Sequence, residues 1–256
     1  MKKTISICTT NYNCAHALKR HLDSVYSQLD EKMFEYIVVD NKSKDDSFNI
    51  LKNFEKEHEN MKVLSQKCTM GWGRQISFEH STGKFIMVID TDTVYYPIFK
   101  DFVDIYLKKY TDMAIQAFFC GIFPREIWIE IGGRRDLNIY EDLDMWIRIW
   151  KLGKMKWYPV YIGENIKEKG AQASFEYKST RYNKFEKIRR FIRRDYDLLK
   201  LKEIHKIELK KMYEENIIDL GLGEMRNEWV KNIPRLGLFK WATVRRRELH
   251  KLLRMK

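Results

Sequence analysis

Hydrophobic positions over the first two-thirds of the chain recur in two alternating rhythms, one with the period of a strand and one with that of a helix. Residues 5–10 alternate and are rich in β-formers. Glu35-Tyr36-Ile37-Val38-Val39-Asp40 is a short apolar run that ends in an acidic residue, followed by turn-forming Asn41 and Ser43. Both segments read as buried strands. Between them, Ala17, Leu18, His21, Leu22, Val25 and Leu29 fall on one helical face over residues 15–29, with Asn13 as the expected cap. A second helix is predicted over residues 46–58 with Ile50, Leu51 and Phe54 inward. A strand over 61–64, a helix around 73–80 and a strand over 84–90 follow. Such alternation predicts an α/β fold, a mostly parallel open sheet with helices on its faces.

In sheets of this kind ligands bind outside the carboxyl ends of the strands. Thr10, Asn11 and Asn13 follow the first strand, Asp40 and Asn41 the second, and Asp90-Thr91-Asp92 the apolar run Phe85–Ile89. Three strand ends thus offer carboxylates or amides to one crevice. Two carboxylates flanking a single residue can hold a hard divalent ion, which neutralises a diphosphate leaving group. Taken alone, the same triplet is also a turn whose aspartates accept backbone N–H bonds.

With 256 residues the chain can bury one large core, with or without a smaller appendage. Cys8, Cys14, Cys68 and Cys120 show no C-x-x-C pairing or dense spacing. Neither a disulfide framework nor a zinc cluster is indicated, and a reducing, cytoplasmic compartment is expected. Met1-Lys2-Lys3 is basic, but only residues 5–8 are apolar before Thr9, Thr10 and Asn11, too few for an expected signal peptide. No run approaches membrane-spanning length. The net charge of +12 is unevenly placed: residues 1–164 carry 23 basic and 23 acidic side chains, whereas residues 165–256 carry 25 and 13. The division expected is a neutral domain over 1–165 and a basic helical C-terminal region over 166–256.

The strand-end residues belong to a longer ordered set. It runs Cys8-Thr9-Thr10-Asn11-Tyr12-Asn13, Ser24-Val25-Tyr26-Ser27-Gln28, Ile37-Val38-Val39-Asp40-Asn41-Lys42-Ser43 with Asp45 and Ser47, Gly71 and Arg74, then Gly83-Lys84-Phe85-Ile86 leading into Asp90-Thr91-Asp92. In this order it resembles the nucleotide-binding half of glycosyltransferase family 2, here residues 1–95. Phe123-Pro124-Arg125, Ile131-Gly132-Gly133, residues 140–148 from Tyr140 through Glu141-Asp142 to Arg148, and Gly153 resemble the acceptor half, residues 96–165. The likeness is collinear over residues 4–160, which is more specific than any single motif. It implies a Rossmann-like GT-A fold and an inverting, metal-dependent transferase using Mg or Mn. Such an enzyme moves a sugar from a nucleoside-diphosphate sugar to a hydroxyl of a glycan or lipid-linked acceptor.

The resemblance also implies residue roles. Thr10, Asn11 and Asp40 would line the donor's nucleoside pocket, where a carboxylate accepts a base N–H. Arg74 would meet the diphosphate with its planar fork of donors. Asp90 would lie near the ribose and Asp92 would hold the metal, with Asp90 as the second candidate ligand. Asp142 is the implied general base, with Glu141, Trp146 and Arg148 on the acceptor side. Each residue also has a plainer reading. Asp40 caps the next helix, Arg74 is a surface arginine, and Glu141-Asp142 opens a helix whose rhythm runs through Met145, Trp146 and Trp150. A base held on a helix terminus satisfies both readings for Asp142. Arg148 has helical spacing to pair with Glu141 or Asp144.

The chain departs from the family pattern at two places. Gln75 stands where relatives often have asparagine. Residues 166–170 read Ile-Lys-Glu-Lys-Gly where many relatives carry a histidine, which leaves a third metal ligand open, with Glu168 conceivable. In the basic region, Phe185, Ile188, Ile192, Tyr196 and Leu199 share a face within a helical stretch over 184–214. Lys184, Lys187, Arg189, Arg190, Arg193 and Arg194 crowd the rest, and a further helical stretch spans 243–255. The apolar stripe either packs on the catalytic domain or lets residues 184–256 lie on anionic lipid at the cytosolic face of a membrane. The rivals to a transferase are a nucleotidyltransferase, marked by pyrophosphate release, and a nucleic-acid binder, for which no RNA- or DNA-binding motif appears. On the membrane reading, the chain floats with anionic liposomes at low salt and is released at high salt; no flotation at low salt removes that reading.

Overall fold

The computed structural model describes residues 3–138 and 141–166, and beyond them Phe185, Met212, Glu215 and Asn216. Seven strands build the main sheet: β1 (Ile5–Asn11), β2 (Phe34–Asp40), β3 (Met61–Ser65), β4 (Phe85–Ile89), β6 (Ala114–Phe118), β7 (Cys120–Pro124) and β8 (Met155–Tyr161). A separate antiparallel ribbon joins β5 (Thr93–Tyr95) to β9 (Gly163–Asn165). The sheet order is β3-β2-β1-β4-β7-β6-β8. The first four strands in that order are parallel, β7 runs antiparallel to both β4 and β6, and β8 is parallel to β6. This is the mostly parallel α/β sheet that the alternating pattern predicts.

Helices cover both faces, so the central strands are apolar on both sides. In β1, Ile5 and Ile7 enter one core while Cys8 enters the other; in β4, Phe85, Met87 and Ile89 face the first, and Ile86 and Val88 the second. The first core is closed by α1 (Ala15–Tyr26), α2 (Ser47–Glu57) and α4 (Ile98–Lys109). The second is closed by α3 (Met70–Glu79), α5 (Arg125–Glu130) and α6 (Glu141–Lys151). Met212 is fully buried in the second core, and Asn216 accepts a 2.7 Å bond on its carbonyl from the Trp157 amide, so part of the basic third docks on β8. Phe185, by contrast, is 84% exposed. The rest of the expected helical stretches over 184–214 and 243–255, the membrane contact placed on them and Glu168 lie outside the described residues. Among the described residues no helix is long and apolar enough to cross a membrane.

α1 forms where the apolar spacing places it, and Ala17, Leu18, His21, Leu22 and Val25 are its buried face. Each fully buried Leu or Val stabilises the docking by roughly 1.5–3 kcal/mol. The expected cap is different. Asn13 takes a left-handed φ of 50°, and Cys14 occupies the cap position with no capping bond from its side chain to the helix. Groups from the β2–α2 loop do the capping instead: Ser47 Oγ accepts from the Cys14 amide at 2.8 Å and Asp45 Oδ2 from the Ala15 amide at 2.9 Å. Asn13 Oδ1 accepts from the Lys44 amide in return. The two loops at the sheet's ligand end are therefore stitched to each other, a tertiary solution that local spacing does not reveal.

His21 is the polar exception on the buried face of α1. Its Nδ1 lies 2.6 Å from the Thr93 carbonyl and its Nε2 2.7 Å from the Tyr36 hydroxyl. A carbonyl only accepts, so Nδ1 carries the proton and Nε2 accepts from Tyr36. Burial pushes the imidazole pKa down from 6.5 to about 4, against the opposing effects of the Thr93 carbonyl and Asp92. The unfolded chain binds the proton first, so this stability is complete above about pH 6.5 and lost as pH falls through about 4. The expected loss is roughly 3 kcal/mol. Urea unfolding of the parent and His21→Gln across that window checks this; parallel pH profiles for the two proteins would contradict it.

Candidate functional site

β1 lies between β2 and β4, so the chain's progress across the sheet reverses there, and the crevice opens at the carboxyl ends of these strands. A chain of side-chain bonds crosses that end. Asn11 Nδ2 donates to Asp40 Oδ1 at 2.9 Å, and Thr91 Oγ1 donates to Asn11 Oδ1 at 3.2 Å. Asp40 also accepts from the Ser43 hydroxyl at 2.6 Å and from the Ser43 amide at 2.9 Å. Asp40 and Asn11 are each 1% exposed, so both spend their polar atoms on the protein and fix the shape of the crevice floor. Thr10, partly exposed, stands beside them at the end of β1. Beyond β4, the Asp90 side chain is 44% exposed while Asp92 is 7% exposed.

α3 carries Arg74 to this crevice. Thr69 caps the helix by accepting from the Trp72 amide at 3.1 Å. The helix start then passes so close to β1 that a Cβ on Gly73 would lie 2.1 Å from Thr10 Cγ2, which only glycine permits. Arg74 is 6% exposed; its Nη2 bonds Asp90 Oδ1 and its Nη1 bonds Glu141 Oε1. The other Glu141 oxygen accepts from Arg134 Nη1 at 2.8 Å. One guanidinium thus joins the end of β4 to the first turn of α6, 67 residues apart from Arg74 in the chain. Burial lifts the Glu141 carboxyl to about 7 against the pull of Arg74 and Arg134. Arg74 is disfavoured by its own burial, but Glu141, Asp90 and Asp142 carry it above its usual value. The contacts decide the resting state. With N–H groups on both oxygens Glu141 is ionised, because a neutral carboxyl would turn its hydroxyl toward a buried cation.

Asp142, next along α6, is exposed beside this cluster, and its Oδ1 accepts from the Leu143 amide at 2.8 Å. Arg148 pairs with Asp144 at 2.7 Å, as its spacing allows, and its Nη1 also donates to the carbonyls of Ile131 and Gly133, which holds that turn to the helix. Trp146 is 3% exposed and packs edge-on against Phe123 at 6.0 Å between centroids, so it seats α6 on the sheet and shows no open ring face. Two contributors lie outside the site residues expected from the sequence, Gln75 having stood out only as a departure from the family pattern. Arg134 reads as one of two adjacent arginines in a loop, yet it is buried against Glu141. Gln75 Oε1 accepts from Trp128 Nε1 and from the Arg134 amide, both at 2.9 Å. Gly133, at φ +72°, leaves room for it, since a Cβ there would lie 2.3 Å from that oxygen.

Among the described residues no group of three or more His, Cys, Asp or Glu is placed to hold a metal ion. Asp90 and Asp92 still suit a hard ion, because Mg takes one or two carboxylates and completes its shell with water and phosphate oxygens. Residues 6–191 match the sequence profile of Glycosyl transferase family 2. The chain belongs to that family. A poly(ribitol-phosphate) beta-glucosyltransferase of Bacillus spizizenii is 32% identical over 92 residues, 34% of this chain but only 14% of that protein. Among solved structures, the mannosyltransferase PcManGT of Pyrobaculum calidifontis in complex with GDP-Man and Mn2+ superposes with a TM-score of 0.60 at 14% identity, over 96% of this chain and 74% of that one. S. aureus TarS 1–349 in complex with UDP-GlcNAc gives 0.56 at 16% identity, over 94% and 81%. In another TarS 1–349 structure the match spans 58% of that chain. These likenesses establish the fold: this family 2 member has the GT-A architecture, with the crevice above at the carboxyl ends of its parallel strands.

The buried cluster is the most exposed to substitution. Glu141→Ala leaves two guanidiniums without their shared partner and is expected to cost about 3–5 kcal/mol in urea unfolding. An unchanged midpoint would show that the cluster does not hold the two halves together.

Proposed function

We propose that this family 2 glycosyltransferase transfers a sugar from a nucleoside-diphosphate sugar to a hydroxyl acceptor in a single inverting displacement. The observation that carries the proposal is Arg74. It is a cation between the strand-end carboxylate Asp90 and the helix that bears Asp142, so donor-side and acceptor-side groups share one crevice. Thr10 lies at the nucleoside end, on a floor set by Asn11 and Asp40. Arg74 faces the diphosphate with its fork of donors. A divalent cation, Mg or Mn, held by Asp92 with Asp90, supplies charge neutralisation for the departing nucleotide. Asp142 takes the acceptor proton as the hydroxyl attacks the anomeric carbon. Glu141, Trp146 and Arg148 serve the acceptor side by holding α6 and the 131–134 turn in place.

The neighbours' ligands, GDP-Man with Mn2+ and UDP-GlcNAc, support a nucleotide-sugar donor and a cation, and leave the base and sugar of this chain to be chosen by experiment. The glucosyltransferase relative directs the acceptor panel toward ribitol-phosphate chains alongside glycans and lipid-linked sugars. In a donor panel, Asp92→Ala is expected to abolish metal-stimulated nucleotide binding. Asp142→Asn is expected to keep donor binding and lose transfer by about 10²–10⁴-fold. Transfer by Asp142→Asn at the parental rate would exclude that carboxylate as the base.

A further inference from the structure

β5 starts one residue after Asp92 and has only three residues, so little in its own sequence fixes where it lies. Its position comes from α1 and the turn after it. His21, Ser24 and Gln28 form one helical stripe, and each engages the backbone of β5. Nδ1–H of His21 donates to the Thr93 carbonyl at 2.6 Å, Ser24 Oγ accepts from the Tyr95 amide at 3.0 Å, and Gln28 Nε2 donates to the Tyr95 carbonyl at 3.1 Å. The backbone that follows the Asp92 side chain is therefore held at two successive carbonyls. The Asp92 carbonyl accepts from the Ile166 amide at 2.7 Å, and the next carbonyl is held by His21.

A ring that merely filled space here would need no polar atoms, and the surroundings are mostly aromatic. Tyr36 and Tyr95 stand edge-on to His21 at 6.1 and 5.9 Å. Both ring nitrogens are nevertheless committed, one to the peptide that follows Asp92, whose carbonyl only accepts and so fixes the tautomer, and one to Tyr36, whose hydroxyl then donates. We propose that His21 is a positioning residue for Asp92, its ring braced at Nε2 by Tyr36 and its Nδ1–H holding the Thr93 carbonyl, thereby setting the direction of the adjacent carboxylate. The proposal rests on the reading of Asp92 as the cation-holding carboxylate. Groups hydrogen-bonded to a ligand set its orientation, and their loss typically costs metal affinity about 10–100-fold; His21 acts on Asp92 through the peptide that follows it.

The test is calorimetric titration of the full chain with UDP and with GDP, each with and without Mn2+. The proteins compared are the parent, His21→Phe, His21→Gln and Tyr36→Phe. His21→Phe keeps a ring but donates nothing to Thr93, and it is expected to weaken Mn2+-dependent nucleotide binding about 10–100-fold while metal-free binding stays at the parental value. His21→Gln can both donate to Thr93 and accept from Tyr36, so it restores most of the Mn2+ effect. Tyr36→Phe removes only the hydroxyl and gives a smaller loss, again confined to the titrations with Mn2+. A loss of equal size with and without Mn2+, or no loss, overturns the proposal. Should His21→Phe fail to fold, Tyr36→Phe decides by the same criterion. If the parent chain binds neither nucleotide under any condition, the reading of Asp92 falls and takes the proposal with it. If the parent binds and the His21 variants match it, only the proposal falls.

Discussion

A guanidinium removed from water has to be met by carboxylates, and Arg74 is where that requirement organises this molecule. Its two partners come from opposite sides of the crevice: Asp90 follows the central strand, and Glu141 opens the helix that faces it. Glu141 in turn holds a second buried cation, Arg134, so the cluster closes only when α3, the 131–134 turn and α6 are all in place. Breaking a buried pair costs more than forming one gains. The arrangement therefore acts less as added stability than as a constraint on geometry, keeping the strand-end carboxylates at a set distance from Asp142.

The parts of the fold legible in the sequence are those where burial writes itself into spacing. β1, β2 and β4 are covered on both faces, β2 and β4 appearing as apolar runs and β1 as an alternating stretch rich in β-formers, and the inward face of α1 is the one its spacing predicts. Strand direction leaves no such trace, and nothing in Cys120–Pro124 announces that β7 runs against β4. The site was legible to the same degree. Carboxylates and amides at strand ends pointed to the crevice, but spacing could not show that Asn11 and Asp40 use their polar atoms on each other. The burial of Arg134, the bonds of His21 and the true cap of α1 left no trace in spacing for a related reason. Each depends on contacts that only folding brings together, from Gln75 to the Arg134 amide, from Thr93 to His21 and from Ser47 to Cys14.

The family departure at residue 75 has a physical account. Gln75 reaches from α3 across to Trp128 and to the amide of Arg134, and the space it needs is left by Gly133. A side chain one methylene shorter would stop before those donors and leave a buried indole N–H unmet, which costs more than a surface bond would return. The longer amide thus belongs with the buried arginine that follows Gly133, and the two are parts of one local adjustment.

The β5–β9 ribbon carries a mechanical consequence. Its backbone pairs join Thr93 to Asn165 and Tyr95 to Gly163, and Ile166 bonds the carbonyl of Asp92. The positively charged third of the chain begins just beyond that point. Load carried along the chain into Ile166 enters the domain as shear along this ribbon and arrives at the peptide of Asp92, whereas load at Met212 and Asn216 passes directly to the second core and β8. Tension at Ile166 is therefore in series with the acidic turn, and α1 beneath it is the anchor that resists.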